Sequence, residues 1–343
     1  NDATSITSTA VTAATEDSAY SYTVTADDDD ADDTPSFACT TCPSWITFSD
    51  VGDGTATLTG TPTESELGDH SVLLTASDST TSDTQSFTIT VANTNDDPTG
   101  SVSITGTAQE DQALGIAQSL ADEDGLGAFS YQWNRAGTAI TGETGLIYTL
   151  GQSDVGTTIT VTISYTDGHS TDESVTSSAT STVQNVNDDA SVAISGTATE
   201  GEVLTATVTD EDGTTGTITY AWNRDSSAIT GATSSSYTLV QADVGSAMTV
   251  TVSYTDVYGN AESLTSDATA SVANVNDVPS AGADQTGAVT EDASTTTATG
   301  TVDSSDEDSD TLSYTPDSTS GTYGSFAITS AGAWTYTLDN TDA

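Results

Sequence analysis

The stretch "TTITVTISYTD" (residues 157–167) sets Ile159, Val161, Ile163 and Tyr165 on one side of an extended chain and Thr or Ser on the other. Strict alternation over that length is the pattern of a half-buried strand, and β-branched Thr and Val favour it. The pattern returns in "SAMTVTVSYTD" (residues 246–256), with Met248, Val250, Val252 and Tyr254. It returns again in "SFTITV" (residues 86–91), with Phe87, Ile89 and Val91. No stretch carries the 3.6-residue helical period, so the chain reads as all-β.

Composition sharpens the problem. The chain has 343 residues, 52 Asp plus Glu, two basic residues (Arg135 and Arg224) and a formal charge of −50. Few large apolar side chains with high net charge usually signal disorder, and only the strand periodicity argues otherwise. Two carboxylates about 4 Å apart repel by roughly 4 kcal/mol at an effective dielectric of 20. Clustered acids must therefore be solvated, protonated or bound to cations. Phosphate contacts need Lys and Arg, so a nucleic-acid partner is not expected, and an anionic membrane surface is disfavoured for the same reason. No apolar run is long enough to insert in a bilayer. The abrupt start leads us to expect a piece of something longer.

Internal repeats set the organisation. "VANTNDDPTG" (91–100), "VQNVNDDASV" (183–192) and "VANVNDVPSA" (272–281) place an asparagine pair roughly 90 residues apart, the size of a small sandwich domain. The opening Asn1-Asp2 looks like the tail of one more such junction. Four domains are expected: 1–97, 98–189, 190–279 and 280–343.

Acidic positions recur with the repeats. An early Glu follows each junction: Glu16, Glu110, Glu200 and Glu291. An acidic loop comes next: Asp27 to Asp30, Asp122-Glu-Asp124, Asp210-Glu-Asp212, and Asp306-Glu-Asp308 with Asp310. A carboxylate-apolar-Gly triplet follows at Glu66, Asp154 and Asp243. Asp78, Asp167 and Asp256 close long strands, and Asp96, Asp188 and Asp277 stand beside the asparagines. Calcium takes 6–8 oxygens from such side chains. Taken alone, an acidic loop is a solvated turn, and the Asp of D-V-G can simply cap its turn. Joint recurrence of five positions is what points to a metal.

In a sandwich, strands alternate between two ends. The early Glu and the triplet should lie at the far end, and the D-x-D loop and final Asp at the near end. The first junction should then gather Glu16, Glu66, Asn93, Asn95, Asp96, Asp122, Asp124 and Asp167. The second should gather Glu110, Asp154, Asn185, Asn187, Asp188, Asp210, Asp212 and Asp256. The third should gather Glu200, Asp243, Asn274, Asn276, Asp277, Asp306, Asp308 and Asp310. Calcium ions and neighbouring domains are the expected partners.

Several resemblances follow from these motifs. "YQWNRAGTAITGETGLIYTLGQSDVGTTITVTISYTD" (131–167) and its sibling at 220–256 resemble bacterial immunoglobulin-like domains, with Trp133 and Trp222 on strand C and neither core cysteine present. "CPSWITFSDVGDGTATLTGTPTESELGDHSVLLTASD" (42–78) resembles the dystroglycan-type cadherin-like domain. "TEDASTTTATGTVDSSDEDSDTLSY" (290–314) and "GTYGSFAITSAGAWTYTLDN" (321–340) look like the VCBS repeat of giant bacterial surface proteins, which would continue beyond Ala343. The five acidic positions resemble the cadherin calcium set, although the linker reads N-x-N-D-x-P and has lost one carboxylate. These resemblances imply an all-β, linear array of Ig-like and cadherin-like Greek-key sandwiches. They imply an extracellular, calcium-stiffened segment of a bacterial cell-surface adhesin, supporting adhesion and biofilm. An alternative is a filament subunit in which other copies donate a strand to domain four by edge pairing. Another is a glycan-binding module, against which Trp45, Trp133, Trp222 and Trp334 all read as core.

Cys39-Thr-Thr-Cys42 reads as a small loop disulfide. A redox motif wants a helix N-terminus, and a four-cysteine zinc site would need a second pair. Arg135 and Arg224 follow the two tryptophans and are expected to pair with nearby acids. The two histidines, His70 and His169, fall at non-equivalent places, and His169 reads as a turn cap. No base–nucleophile pairing stands out, so a non-enzymatic protein is expected.

Overall fold

The computed structural model describes residues 3–28, 34–78, 80–292, 294 and 296–339. Asn1, Asp2, Asp29, Asp30 and Ala343 lie outside the described residues. The chain divides into two compact units, Asn1–Val186 and Asn187–Ala343. Among the described residues the regular structure is strand, broken only by three short 3-10 turns. The chain is a tandem series of Ig-like β-sandwiches.

In the first unit, strands Ser5–Ile6, Tyr20–Asp27, Thr55–Gly60 and Thr47–Asp50 form one sheet. Ala13–Thr15, Ser82–Ala92, Gly68–Ser77 and Ser36–Thr41 form another. Tyr20–Asp27 pairs with Thr55–Gly60 rather than with its successor, so the chain crosses between sheets. Both sheets send alternate residues into one cluster holding Val24, Leu58, Leu74 and Ile89, each fully buried. Ala13–Thr15 runs parallel to the end of Ser82–Ala92. Trp45 packs against this cluster from its margin. It lies half-buried in a turn, edge-on to Tyr20 at 5.5 Å, because Gly60 of the Gly-Thr-Pro motif leaves room beneath it. A Cβ at Gly60 would meet the Trp45 carbonyl oxygen at 2.2 Å. Cys39 and Cys42 are joined by a disulfide.

The unit's second sandwich pairs Ile147–Thr149, Ala113–Gln118 and Val102–Thr105 against Thr138–Ala139, Ser130–Arg135, Ile159–Thr166 and Asp172–Thr176. Ile159, Val161 and Ile163 are fully buried, and their Thr neighbours are half exposed, as the alternation demands. Trp133 is fully buried, and its ring N–H donates to the Gly145 carbonyl at 2.9 Å. A buried indole without that partner would carry an unmet polar group.

The second unit repeats the plan. Ser191–Ser195, Val203–Thr209 and Ser236–Thr238 form one sheet, and Ser227–Ala228, Thr214–Arg224, Met248–Asp256 and Ala261–Thr265 the other. Trp222 is fully buried and donates to the Ser234 carbonyl at 2.9 Å. Beyond them lie the pair Ser280–Ala281 with Ser304–Ser305 and a sheet ordered Thr297–Thr301, Ala333–Leu338, Gly324–Ile328 and Asp317–Gly321. Trp334 is buried there and stacks on Phe326 at 6.2 Å.

Candidate metal centre

Glu16, Glu110 and Glu200 each stand just before a left-handed residue: Asp17 (φ 54°), Asp111 (φ 62°) and Gly201 (φ 79°). Asp and Gly tolerate that conformation, which a β-branched residue would resist. The kink directs the preceding carboxylate inward, and Glu16 and Glu110 are almost wholly buried. All three accept a bond from the backbone amide after the first asparagine of the pair. Thr94 N–H donates to Glu16 at 2.9 Å, Val186 N–H to Glu110 at 3.2 Å and Val275 N–H to Glu200 at 3.4 Å.

The two acids of each D-x-D loop do different work. Asp122 accepts from the Asp124 amide at 3.0 Å and from the Tyr165 hydroxyl, and Asp210 is held likewise by Asp212 and Tyr254. Burial first, then the bond to Asp122, push the Tyr165 hydroxyl well above its ordinary range, so it remains a donor. Asp122 and Asp210, expected as ligands, therefore shape their loops. The second acid faces the junction. Asp96 N–H donates to Asp124 at 2.7 Å, Asp188 N–H to Asp212 at 2.8 Å and Asp277 N–H to Asp308 at 2.6 Å.

The triplet acids correct the expectation most clearly. Glu66 folds back onto its own 3-10 turn and accepts from the Thr63 amide at 2.9 Å and the Thr63 hydroxyl at 2.6 Å. Those bonds hold its carboxyl below the usual range. Asp154 is buried and takes the Arg135 guanidinium at 2.7 Å, the Tyr148 hydroxyl at 2.8 Å and the Gly151 amide at 3.0 Å. Asp243 repeats this with Arg224 at 2.6 Å, Tyr237 at 3.0 Å and the Val240 amide at 2.9 Å. All three acids close their own turns.

The residue two places earlier does the reaching. Glu64 contacts His169 of the next sandwich, and Gln241 donates to Asp308 at 3.2 Å. The Gln152 amide meets both Glu110 oxygens, at 2.6 and 3.1 Å with its nitrogen as donor. Sequence reasoning missed these three, although Thr63-Glu64-Ser65-Glu66 has the S/T-x-x-E capping-box form that marks its fourth residue as a cap. We expect Glu66→Ala to lower stability through the lost capping box and to leave calcium affinity unchanged. Denaturant unfolding and calorimetric titration of the variant check both halves.

At the first junction, one oxygen each of Glu16, Asp96 and Asp124 lies within 4.8 Å of the others. Glu16 Oε2, Glu64 Oε2, Asn93 Oδ1, Asp124 Oδ1 and Asp167 Oδ2 are all buried without a hydrogen-bond partner. Every one is an acceptor, where ordinary packing would bring a donor. Burial above all, together with the charges of Glu64 and Asp124, raises the Glu16 carboxyl against the opposing Thr94 bond. Burial and the charges of Asp17, Asp124, Asp122 and Glu64 raise Asp96. Ligands about 2.3–2.6 Å from calcium can lie up to about 5 Å apart, so the donor set fits. Asn95 instead donates its amide to Glu173 at 2.9 Å, and Asn187 donates to Glu262 at 3.1 Å. Both glutamates went unnoticed in the sequence, although they hold matching places six residues beyond Asp167 and Asp256.

Within the second unit, Glu200, Asp277 and Asp308 bring one oxygen each within 4.8 Å, as do Asp306, Asp308 and Asp310. Asp306 accepts from the amides of Asp308 at 3.0 Å and Asp310 at 3.4 Å. Gln241 Oε1 is buried and unpartnered. Asn274 is exposed, and Asn276 donates to the Asp277 carbonyl at 2.8 Å. Of the middle set, Asn185 Oδ1 in the first unit is buried and unpartnered. In the second unit, Asp256 accepts from both the amide and the side chain of Asn260 at 2.7 Å.

The He_PIG family model, an Ig domain, matches residues 3–92. No curated protein matches the chain. Among solved structures, the SrpA adhesin from Streptococcus sanguinis is similar at 11% identity, over 35% of this chain and 91% of that one, with a TM-score of 0.24. Titin domains z1z2, solved in complex with telethonin, are 13% identical over 54% of this chain and 98% of theirs, with a TM-score of 0.29. An endo-fucoidan hydrolase of glycoside hydrolase family 107 is 18% identical over 77% of this chain and 43% of its own, with a TM-score of 0.25. Likenesses this distant carry no conclusion about function.

Proposed function

We propose that the chain is a non-enzymatic extender segment of an extracellular bacterial surface adhesin, in which Ca2+ held between successive sandwiches fixes their relative orientation. The observation that carries this reading is the first junction, where five buried acceptor oxygens from both sandwiches and their linker lack a donor. A hard cation supplies what five acceptors lack. Because neither sandwich holds the donor set alone, ion binding and alignment are one equilibrium. Glu16 and Glu64 come from the first sandwich, Asn93 and Asp96 from the linker, and Asp124 and Asp167 from the second. Without the ion, the carboxylates repel and the linker is free to bend. Extracellular calcium modules bind at roughly 10⁻⁴–10⁻³ M, which would confine stiffening to the calcium-rich exterior.

Calorimetric titration of the whole chain with Ca2+, with proteolysis run in calcium and in chelator, tests the reading. Saturable binding and protection of the 93–98 segment are expected. Absence of saturable binding at millimolar Ca2+ overturns it.

A further inference from the structure

The first junction differs from its siblings by two residues that meet. Glu64 stands where the other repeats have Gln152 and Gln241, and His169 stands where the sibling loop has Tyr258. The His169 ring nitrogen Nε2 lies 3.0 Å from Glu64 Oε1 and 4.0 Å from Asp124 Oδ1. These three ligand atoms all fall within 4.8 Å of one another. The Asp124 side chain is fully buried and its Oδ1 has no hydrogen-bond partner. The His169 ring is about one-third exposed, leaving a path for an ion and room for water.

We propose that Glu64, Asp124 and His169 form a second metal seat beside the calcium position, specific for a first-row divalent transition metal such as Zn2+. Donor chemistry separates the two seats. Calcium is hard and takes oxygen, whereas imidazole with carboxylates suits Zn2+. Zinc bonds of about 2.0–2.1 Å at the tetrahedral angle put neighbouring donor atoms about 3.3 Å apart. The observed 3.0 and 4.0 Å bracket that spacing, so small side-chain shifts suffice. Three protein ligands leave the fourth position to water. Because His169 and Asp124 belong to the second sandwich and Glu64 to the first, Zn2+ would clamp this junction even where calcium is scarce. The seat shares Glu64 and Asp124 with the proposed calcium site, taking Glu64 through Oε1 where calcium would take Oε2, but does not depend on calcium binding there.

The test uses the untagged whole chain, whose only other histidine is His70. His70 Nε2 is paired at 2.6 Å with the Glu66 carbonyl. Zn2+ is titrated by calorimetry, with and without saturating Ca2+, while NMR follows both imidazoles. One Zn2+ per chain is expected, moving His169 resonances and leaving those of His70 in place. His169→Tyr and Glu64→Gln copy residues the sibling repeats already carry, so they should fold. Each should weaken Zn2+ binding by at least about tenfold, since even an outer-shell change costs 10–100-fold. Undiminished Zn2+ affinity in His169→Tyr, perturbation of His70 alone, or no saturable Zn2+ binding overturns the proposal. A Ca2+ titration of His169→Tyr scores the calcium reading separately. Retained Ca2+ binding with lost Zn2+ binding is the expected outcome, and loss of both overturns the claim of two chemically distinct seats.

Discussion

Asp124→Asn will remove the calcium response of the first junction and reverse the sign of its effect when calcium is absent. Asp124 is the residue most committed to the site. Its side chain is fully buried, one oxygen holds the Asp96 amide at 2.7 Å, and the other has no donor. An asparagine oxygen can still accept from Asp96, so the linker bond survives and the fold has no reason to fail. What disappears is a formal charge among Glu16, Glu64 and Asp96. With Ca2+ at about 100 times its dissociation constant, a single site stabilises by about 2.7 kcal/mol, and the variant should lose most of that. In chelator the variant should melt at or above wild type, because a buried carboxylate among other carboxylates costs stability. Scanning calorimetry of both proteins in both conditions reads the crossover. A variant that keeps the full calcium shift would show that Asp124 is no ligand.

Arg135→Ala will destabilise the second sandwich by about 3 kcal/mol, the range for leaving one member of a buried ion pair alone. Asp154 would keep only the Tyr148 hydroxyl and the Gly151 amide for a carboxylate that is almost fully buried. The chain has 52 acids and two basic residues, and both basic residues serve this one turn, at Asp154 and at Asp243. A cation is scarce here, so its position is informative. Arg135→Ala combined with Asp154→Asn should recover part of the loss, because the unpaired charge goes with it. Denaturant unfolding of the single and double variants decides the matter. A single-variant loss below about 1 kcal/mol would place this pair among solvent-screened surface bridges.

The strands were plain in the sequence because burial on one face imposes a period of two, which Ile159 to Tyr165 states without ambiguity. The D-x-D and early-Glu positions were legible through recurrence, and the structure does place Glu16, Asp96 and Asp124 together. Recurrence could say which turn an acid belongs to but not which way it points. In the 3-10 turn Glu64–Glu66 the third residue bends back to cap the amides and the first points out. An offset of two residues thus turned Glu66, Asp154 and Asp243 from expected ligands into turn caps. Glu64 was passed over, and His169 was read as a turn cap although its ring faces Glu64, for the opposite reason. Each occurs once, and a search for what repeats discards what is particular to one junction. Trp45 read as core, and nothing in its neighbours announced that it would pack from a turn through the close approach of Gly60.

The parallel register of Ala13–Thr15 with Thr90–Ala92 has a mechanical meaning. One of these segments lies near the beginning of the first sandwich and the other leads straight into the linker, so tension along the polypeptide slides them past each other lengthwise. Their hydrogen bonds, with the flanking Glu16–Ala92 and Thr90–Thr12 bonds, then bear the load together and must rupture together, rather than unzip one at a time. The corresponding contacts at Gln109 with Gln184 and at Thr199 with Ala273 are single bridges. Under a steady pull, the first sandwich should therefore yield after the next two.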